Sequence, residues 1–155
     1  RTVTGVQTCA LPISASLKTI AGGVTSPRGY RAAGVSAGIK NPAKTKPDLA
    51  LLASDTQATV AGVFTTNRIQ GATVKLCRER LAGGKARAVV INSGNANACT
   101  GAQGVEDART MARLVAAGLE CPADQVFVCS TGTIAIPLHG SVGARRTIKG
   151  ISLRA

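Results

Sequence analysis

The chain has 155 residues, is 45% hydrophobic and carries a formal net charge of +12. That length fits one domain, and no run approaches the roughly 18 apolar residues that a membrane-spanning helix needs, so no membrane partner is expected. Aromatics are confined to Tyr30, Phe64 and Phe127, which makes the core aliphatic and leaves no stacking platforms for nucleic-acid bases.

A basic surplus suits nucleic acid, an anionic membrane surface or acidic ligands. Here the charges are scattered, in small groups at Lys40, Lys44 and Lys46, at Arg78 and Arg80, and at Arg145, Arg146 and Lys149. A solvated surface, or half of a larger protein whose other half is acidic, accounts for them equally well, and nucleic acid is not expected as a partner. The five cysteines, Cys9, Cys77, Cys99, Cys121 and Cys129, form no C-x-x-C pair, and His139 is the only imidazole, so no metal site is expected. Four of the five cysteines lie among apolar or small residues, which predicts buried free thiols in a reducing compartment, the cytoplasm.

In chain order, "VTGVQTCALPI" (Val3 to Ile13) has too short an apolar segment for a signal peptide and lacks a small-x-small cleavage site. It resembles the conceptual translation of a common DNA-sequencing adapter, and residues 1–14 are expected to be non-native. Resequencing the locus checks this, and codons for that stretch should be absent. "RAAGVSAGIK" (Arg31 to Lys40) reads as a strand weakened by glycines, and the prolines of "NPAKTKP" mark a loop. "DLALLAS" (Asp48 to Ser54) and "TVAGVFTTN" (Thr59 to Asn67), joined by "DTQA", predict a hairpin. "VKLCRERLAGG" places Val74, Leu76, Cys77 and Leu81 near one face of a short helix, stopped by Gly83 and Gly84.

"RAVVIN" is a predicted strand ending near Ile91. "GVEDARTMARLVAAGLE" is the clearest helix: Val105, Ala108, Met111, Ala112, Val115 and Leu119 recur at helical spacing, with Glu106 and Asp107 expected in the first turn. "QVFVCS" (Gln125 to Ser130) is a further strand, expected to run into a Ser-Thr-Gly turn. Strands of both hairpin and crossover type predict a mixed α/β, or α+β, layered domain. The C-terminal "RRTIKGISLRA" has neither cap nor turn signal, so residues 15–155 are expected to be part of a longer domain.

Several motifs carry chemical possibilities. Gly34 to Gly38, "GVSAG", matches G-x-S-x-G, but a nucleophile elbow needs a helix behind its serine. Ser36 is followed by "AGIKNPAKTKP", which cannot hold one. A phosphate loop is absent: ahead of Gly84-Lys85, Glu79 stands where the first glycine belongs and Ala86 follows. "NSGNANACTG" (Asn92 to Gly101) has two readings. Asn tolerates left-handed backbone and bonds its own main chain, which gives a tight self-bonded turn. Small residues also let a ligand come close, which gives the polar wall of a pocket. "CSTGTI" (Cys129 to Ile134) has the same logic: a hydroxyl and backbone N–H groups at a strand end can stabilise an oxyanion.

Five segments, "GVTSPRGYRAAGVSAGIK", "KPDLALLASD", "AGVFTTN", "RAVVINSGNANACTGAQGVEDARTMA" and "VCSTGTIAIPL", stand in order over roughly Gly22 to Leu138. Together they resemble the N-terminal half of the bifunctional ornithine acetyltransferase/N-acetylglutamate synthase family of arginine biosynthesis. The resemblance implies the N-terminal half of an N-terminal-nucleophile-like α/β/β/α sandwich. It implies a precursor that cleaves itself between Ala and Thr, whose freed Thr takes the acetyl group of N-acetylornithine and passes it to glutamate. Some members also accept acetyl-CoA, and no cofactor is implied. Thr131 and Gly132 match the family's oxyanion-hole pair, the first through its hydroxyl and the second through its N–H. The implied partner is the beta chain of the same precursor, in a heterotetramer.

The family's Pro-Asn-Met-Ala-Thr-Met cleavage segment is absent here. Thr110-Met111 echoes its end but follows Arg109 inside a predicted helix. The resemblance also expects Gly where Ala135 stands, and it decays after Leu138. Two other readings stay open: a small-molecule binding module without catalysis, and a basic nucleic-acid-associated protein whose binding would fall steeply with salt. If the resemblance holds, the nucleophile lies outside this chain. The purified 155-residue chain should then give no turnover with N-acetylornithine and glutamate, and detectable ornithine release would contradict that expectation.

Overall fold

A computed structural model describes residues 21–39, 43 and 45–138. The adapter-like stretch 1–14, Cys9, His139 and the "HGSVGARRTIKGISLRA" tail lie outside the described residues. Four strands form one sheet: β1 (Tyr30–Val35), β2 (Leu49–Thr59), β3 (Lys85–Asn95) and β4 (Val126–Thr133). Two helices, α1 (Ala72–Leu81) and α2 (Gly101–Leu119), complete the regular structure of the described residues, with a short 3₁₀ turn at Ala123–Gln125. The sheet order is β1-β2-β3-β4. The first two pairings are antiparallel and β3 pairs β4 in parallel, with α2 as the crossover between them. The α/β class expected from the sequence is the class observed. One sheet under one helical layer is half of the four-layer sandwich that the resemblance implies.

The core follows from two periodicities. Every second residue of the strands points to the helices: Leu49, Leu51 and Ala53 on β2, Ala88 and Val90 on β3, Val126 and Val128 on β4. Against them α2 sets Ala108, Met111, Ala112, Val115 and Ala116, and α1 sets Leu76. Ala108 and Ala112 are completely buried, so α2 lies close to the sheet. Without large aromatics to fill space, close approach of small side chains is how the core reaches native density.

Several local expectations are corrected. The predicted hairpin is one long strand, β2, with a register shift between Ala53 and Ala58. The "DTQ" residues form an irregularity instead of a turn. Asp55 is held there by an ion pair to Arg31 (2.7 Å), and its carbonyl accepts from Arg87 Nη1 (2.5 Å). Residues 60–67 are not a strand, and Val63 is 98% exposed. Helix α2 begins at Gly101, so Glu106 and Asp107 fall outside its first turn. They bond along the helix instead, Glu106 to Arg113 and Asp107 to Gln103.

The first strand stops at Val35 because the Asp48 carboxylate accepts the N–H groups of Ala37 (2.6 Å) and Ile39 (2.7 Å), which draws the chain off the sheet edge. No helix follows Ser36 among the described residues, in keeping with the rejection of the nucleophile elbow. Among the described residues the prediction of buried thiols holds for Cys77 alone. Cys121 is half-buried, and Cys99 and Cys129 are exposed. Burial pushes the Cys77 thiol up, so it stays protonated and donates to the Val128 carbonyl. Among the described residues no helix is long and apolar enough to cross a membrane, and no group of residues could hold a metal ion.

Candidate active site

The sheet runs further than composition suggested. β3 continues to Asn95 and β4 to Thr133, and their parallel register carries through Asn92 with Ser130, Ser93 with Thr131, Gly94 with Gly132 and Asn95 with Thr133. Thus "NSGN" and "STGT" are neighbouring strand ends, where turns had been expected. Small side chains and glycine permit this. Gly132 has φ +135, and a Cβ placed there would stand 2.3 Å from the Gly94 carbonyl carbon. Any side chain at 132 would therefore force the two backbones apart.

Strand alternation sorts these residues by face. Asn92 points inward with Val90 and is completely buried. Ile91 and Ser93 are exposed on the helix-free face, as are Cys129 and Thr131 of β4. The Thr131 and Ser93 hydroxyls are thus adjacent in register on the open face, and neither has a hydrogen-bond partner among the described residues. Carboxyl ends of parallel strands are where open α/β sheets hold ligands. A cavity of about 210 Å³ adjoins them, lined by Ile39, Gly94, Asn95, Thr133 and residues 136–138.

Asn95 lines that cavity. Asn92, Asn95 and Asn97 are all buried, and their side chains are held by hydrogen bonds of the fold, within the run, to β4, to the chain that leaves it and to α2. Asn92 Nδ2 donates to the Asn95 carbonyl (2.8 Å) and Asn95 Nδ2 to the Ile136 carbonyl (2.9 Å). Asn97 donates its N–H to Asn95 Oδ1 (2.8 Å) and its Nδ2 to the Gly104 carbonyl (2.7 Å). Asn97 also accepts the Thr100 hydroxyl (2.7 Å). Each of the two readings of this run holds in part: Asn92 and Asn97 bond within it, while Gly94 and Asn95 line the cavity at the strand ends. Asn97 has φ +46, the left-handed backbone that Asn accepts.

Ser93 and the Asn92–Ser130 pair were not singled out from the sequence. The available signal was the repeated hydroxyl-glycine dipeptide, Ser93-Gly94 and Thr131-Gly132, at the ends of two predicted strands.

A family model described as the ArgJ family matches residues 31–149. The chain belongs to the ArgJ family. It is 50% identical over 134 residues to the arginine biosynthesis bifunctional protein ArgJ of Caldanaerobacter subterraneus subsp. tengcongensis, covering 86% of this chain and 32% of that protein. The protein of the same name from Symbiobacterium thermophilum is 51% identical over 136 residues, with 86% and 34% covered. The chain thus spans about a third of the length of these curated relatives.

Among solved structures, ornithine acetyltransferase of Mycobacterium tuberculosis complexed with ornithine superposes with a TM-score of 0.80 at 41% identity. That match covers 85% of this chain and 71% of that one. The ArgJ structure of Bacillus halodurans gives 0.79 at 37%, with 85% and 68% covered.

The position where the resemblance expected Gly is strained. Ala135 has φ +62, and its N–H is held by the Ala98 carbonyl (2.9 Å). Left-handed backbone costs a residue with a Cβ about 1–2 kcal/mol, partly offset by the looser unfolded chain that Gly brings. Ala135→Gly should therefore stabilise the protein by about 0.5–1 kcal/mol, read as a higher urea midpoint. An unchanged or lower midpoint would show that no strain is stored there.

Proposed function

We propose that this chain supplies the oxyanion-stabilising half of an acetyl-transfer site in arginine biosynthesis. The reaction moves an acetyl group from N-acetylornithine to glutamate. The observation that carries the proposal is the exposed Thr131 hydroxyl, without a partner among the described residues, beside Gly132 at the carboxyl ends of the β3–β4 pair. The ornithine bound in the Mycobacterium tuberculosis relative and the names of the curated relatives support the substrate class.

The chemistry is that of acyl transfer. A threonine hydroxyl from the beta chain, outside residues 15–155, attacks the acetyl carbonyl carbon. The carbonyl electrons move onto oxygen, and the Thr131 hydroxyl and Gly132 N–H donate to that oxyanion. Collapse of the tetrahedral species expels the ornithine amine, which leaves with a proton, and the acetyl group stays on threonine. The glutamate amine attacks in turn, passes through the same oxyanion and regenerates the free threonine. Acetyl-CoA fits the first step as an alternative acetyl donor.

Strand geometry supports the role of Gly132. The Thr133 carbonyl accepts from the Ala96 N–H (2.9 Å), so Thr133 faces β3. Alternation then turns the Gly132 N–H toward the free edge of β4, where no described strand competes for it. The remaining elements of this reading are self-cleavage of a precursor, a heterotetramer with the beta chain, and cytoplasmic action.

In the full-length enzyme Thr131→Ala should lower kcat by roughly 10²–10³-fold, as loss of one oxyanion donor does elsewhere. Thr131→Ser, which keeps the hydroxyl, should stay near the wild-type rate. Initial rates of ornithine release decide it, and an unchanged kcat for the alanine variant would remove Thr131 from the site.

A further inference from the structure

We infer that Asn92, acting through Ser130, is the positioning residue of the Thr131–Gly132 oxyanion site. This rests on the acetyl-transfer reading and adds to it a group that touches no substrate.

The need for such a group comes from the backbone. The rung that carries the site pairs two glycines, Gly94 at φ +116 and Gly132 at φ +135. Glycine is the least restrained residue, so a rung of two glycines does not fix its own geometry. β4 is also an edge strand among the described residues, bonded to β3 alone. Yet an oxyanion donor must stand about 2.7–3.1 Å from where the charge develops, and a shift of about 1 Å at a reacting centre can cost 10²-fold in rate.

The restraint sits one inward-facing rung upstream. Asn92 and Ser130 are register partners, each two residues before a glycine of the rung. The Ser130 hydroxyl donates to Asn92 Oδ1 at 2.5 Å. Asn92 is 0% exposed, so this bond forms away from competing water, where hydrogen bonds are strongest. The other end of the same amide donates to the Asn95 carbonyl, beyond Gly94 (2.8 Å). One planar group therefore grips β4 just before Gly132 and its own strand just after Gly94. Asn95 extends the brace by donating to the Ile136 carbonyl (2.9 Å), on the chain that leaves β4. The flexible rung is enclosed on both sides by bonds from buried amides.

Ser130 and Thr131 are sequence neighbours with opposite facings. Ser130 turns toward Asn92, while Thr131 stands exposed on the helix-free face. Rotation or sliding of β4 that broke the Ser130 bond would displace the Thr131 hydroxyl and the Gly132 N–H together. The pair should therefore act on the transition state and leave ground-state binding of ornithine and glutamate almost untouched.

The test is a double-mutant cycle in the full-length enzyme, with N-acetylornithine and glutamate as substrates and urea unfolding recorded for each protein. Ser130→Ala should lower kcat roughly 10–10²-fold with KM within about twofold, and Ser130→Thr, which restores the hydroxyl, should recover most of it. With Thr131→Ala already present, Ser130→Ala should cost clearly less than in the wild-type background, because one of the two donors it positions is gone. An unchanged kcat for folded Ser130→Ala would overturn the inference, as would an equal loss in both backgrounds. If Ser130→Ala does not fold, Ser130→Cys replaces it: its weaker S–H donor should lower kcat several-fold, and a wild-type kcat would overturn the inference. Absence of turnover by the wild-type enzyme would instead sink the acetyl-transfer reading, before any variant is compared.

Discussion

The rest of the structure depends on how closely β3 and β4 approach at Gly94 and Gly132. A Cβ at Gly132 would lie 2.3 Å from the Gly94 carbonyl carbon, a separation that no side chain tolerates. Because the approach is this close, the parallel ladder extends past the apolar part of each strand and into residues that composition assigns to turns. The extension brings Ser93 and Thr131 to the same level on the open face and carries the polar strand ends beyond the core.

Extending strands with polar residues has a cost. Asn92, Asn95 and Asn97 are buried, and a buried amide left unbonded costs about 1–3 kcal/mol. Each is therefore bonded. The amides run from Ser130 through Asn92 and Asn95 to Asn97, which reaches the Gly104 carbonyl in the first turns of α2. The Asn97 carbonyl also accepts the N–H of Ala72, the first residue of α1 (3.0 Å). The same short run thus fixes two strand ends and the starts of both helices. A satisfied polar network of this kind gives rigidity that an aliphatic core without large aromatics does not supply by itself.

The two faces of the sheet differ. One is sealed by α1 and α2, with Leu49, Val90, Val126 and Val128 almost inaccessible. The other leaves Ile91 39% exposed and Thr131 open. A sheet face meant for water alternates to polar residues. Here apolar residues remain beside the hydroxyls, as in sheets that pack against a second layer.

Much of this was legible in the sequence. The helical repeat from Val105 to Leu119 gave α2, and the apolar runs at Leu49, Ala88 and Val126 gave the core strands, because periodicity reports directly on which face is buried. The Ser-Thr-Gly run at the end of β4 offered a hydroxyl and backbone N–H groups in the sequence, the kind of donor that an oxyanion site uses. Other features were decided only in three dimensions. Whether "DTQA" turned the chain or bulged it depended on Arg31 and Arg87, which are 24 and 32 residues away from Asp55. Whether "NSGN" and "STGT" were turns or strand ends depended on each other, because neither can extend without the partner strand. The sequence by itself determined which residues could bond, turn or be buried. Tertiary structure decided which of those options were used, because a hydrogen-bonding side chain or a glycine is permissive until a neighbour distant in the chain takes up its bond or its space.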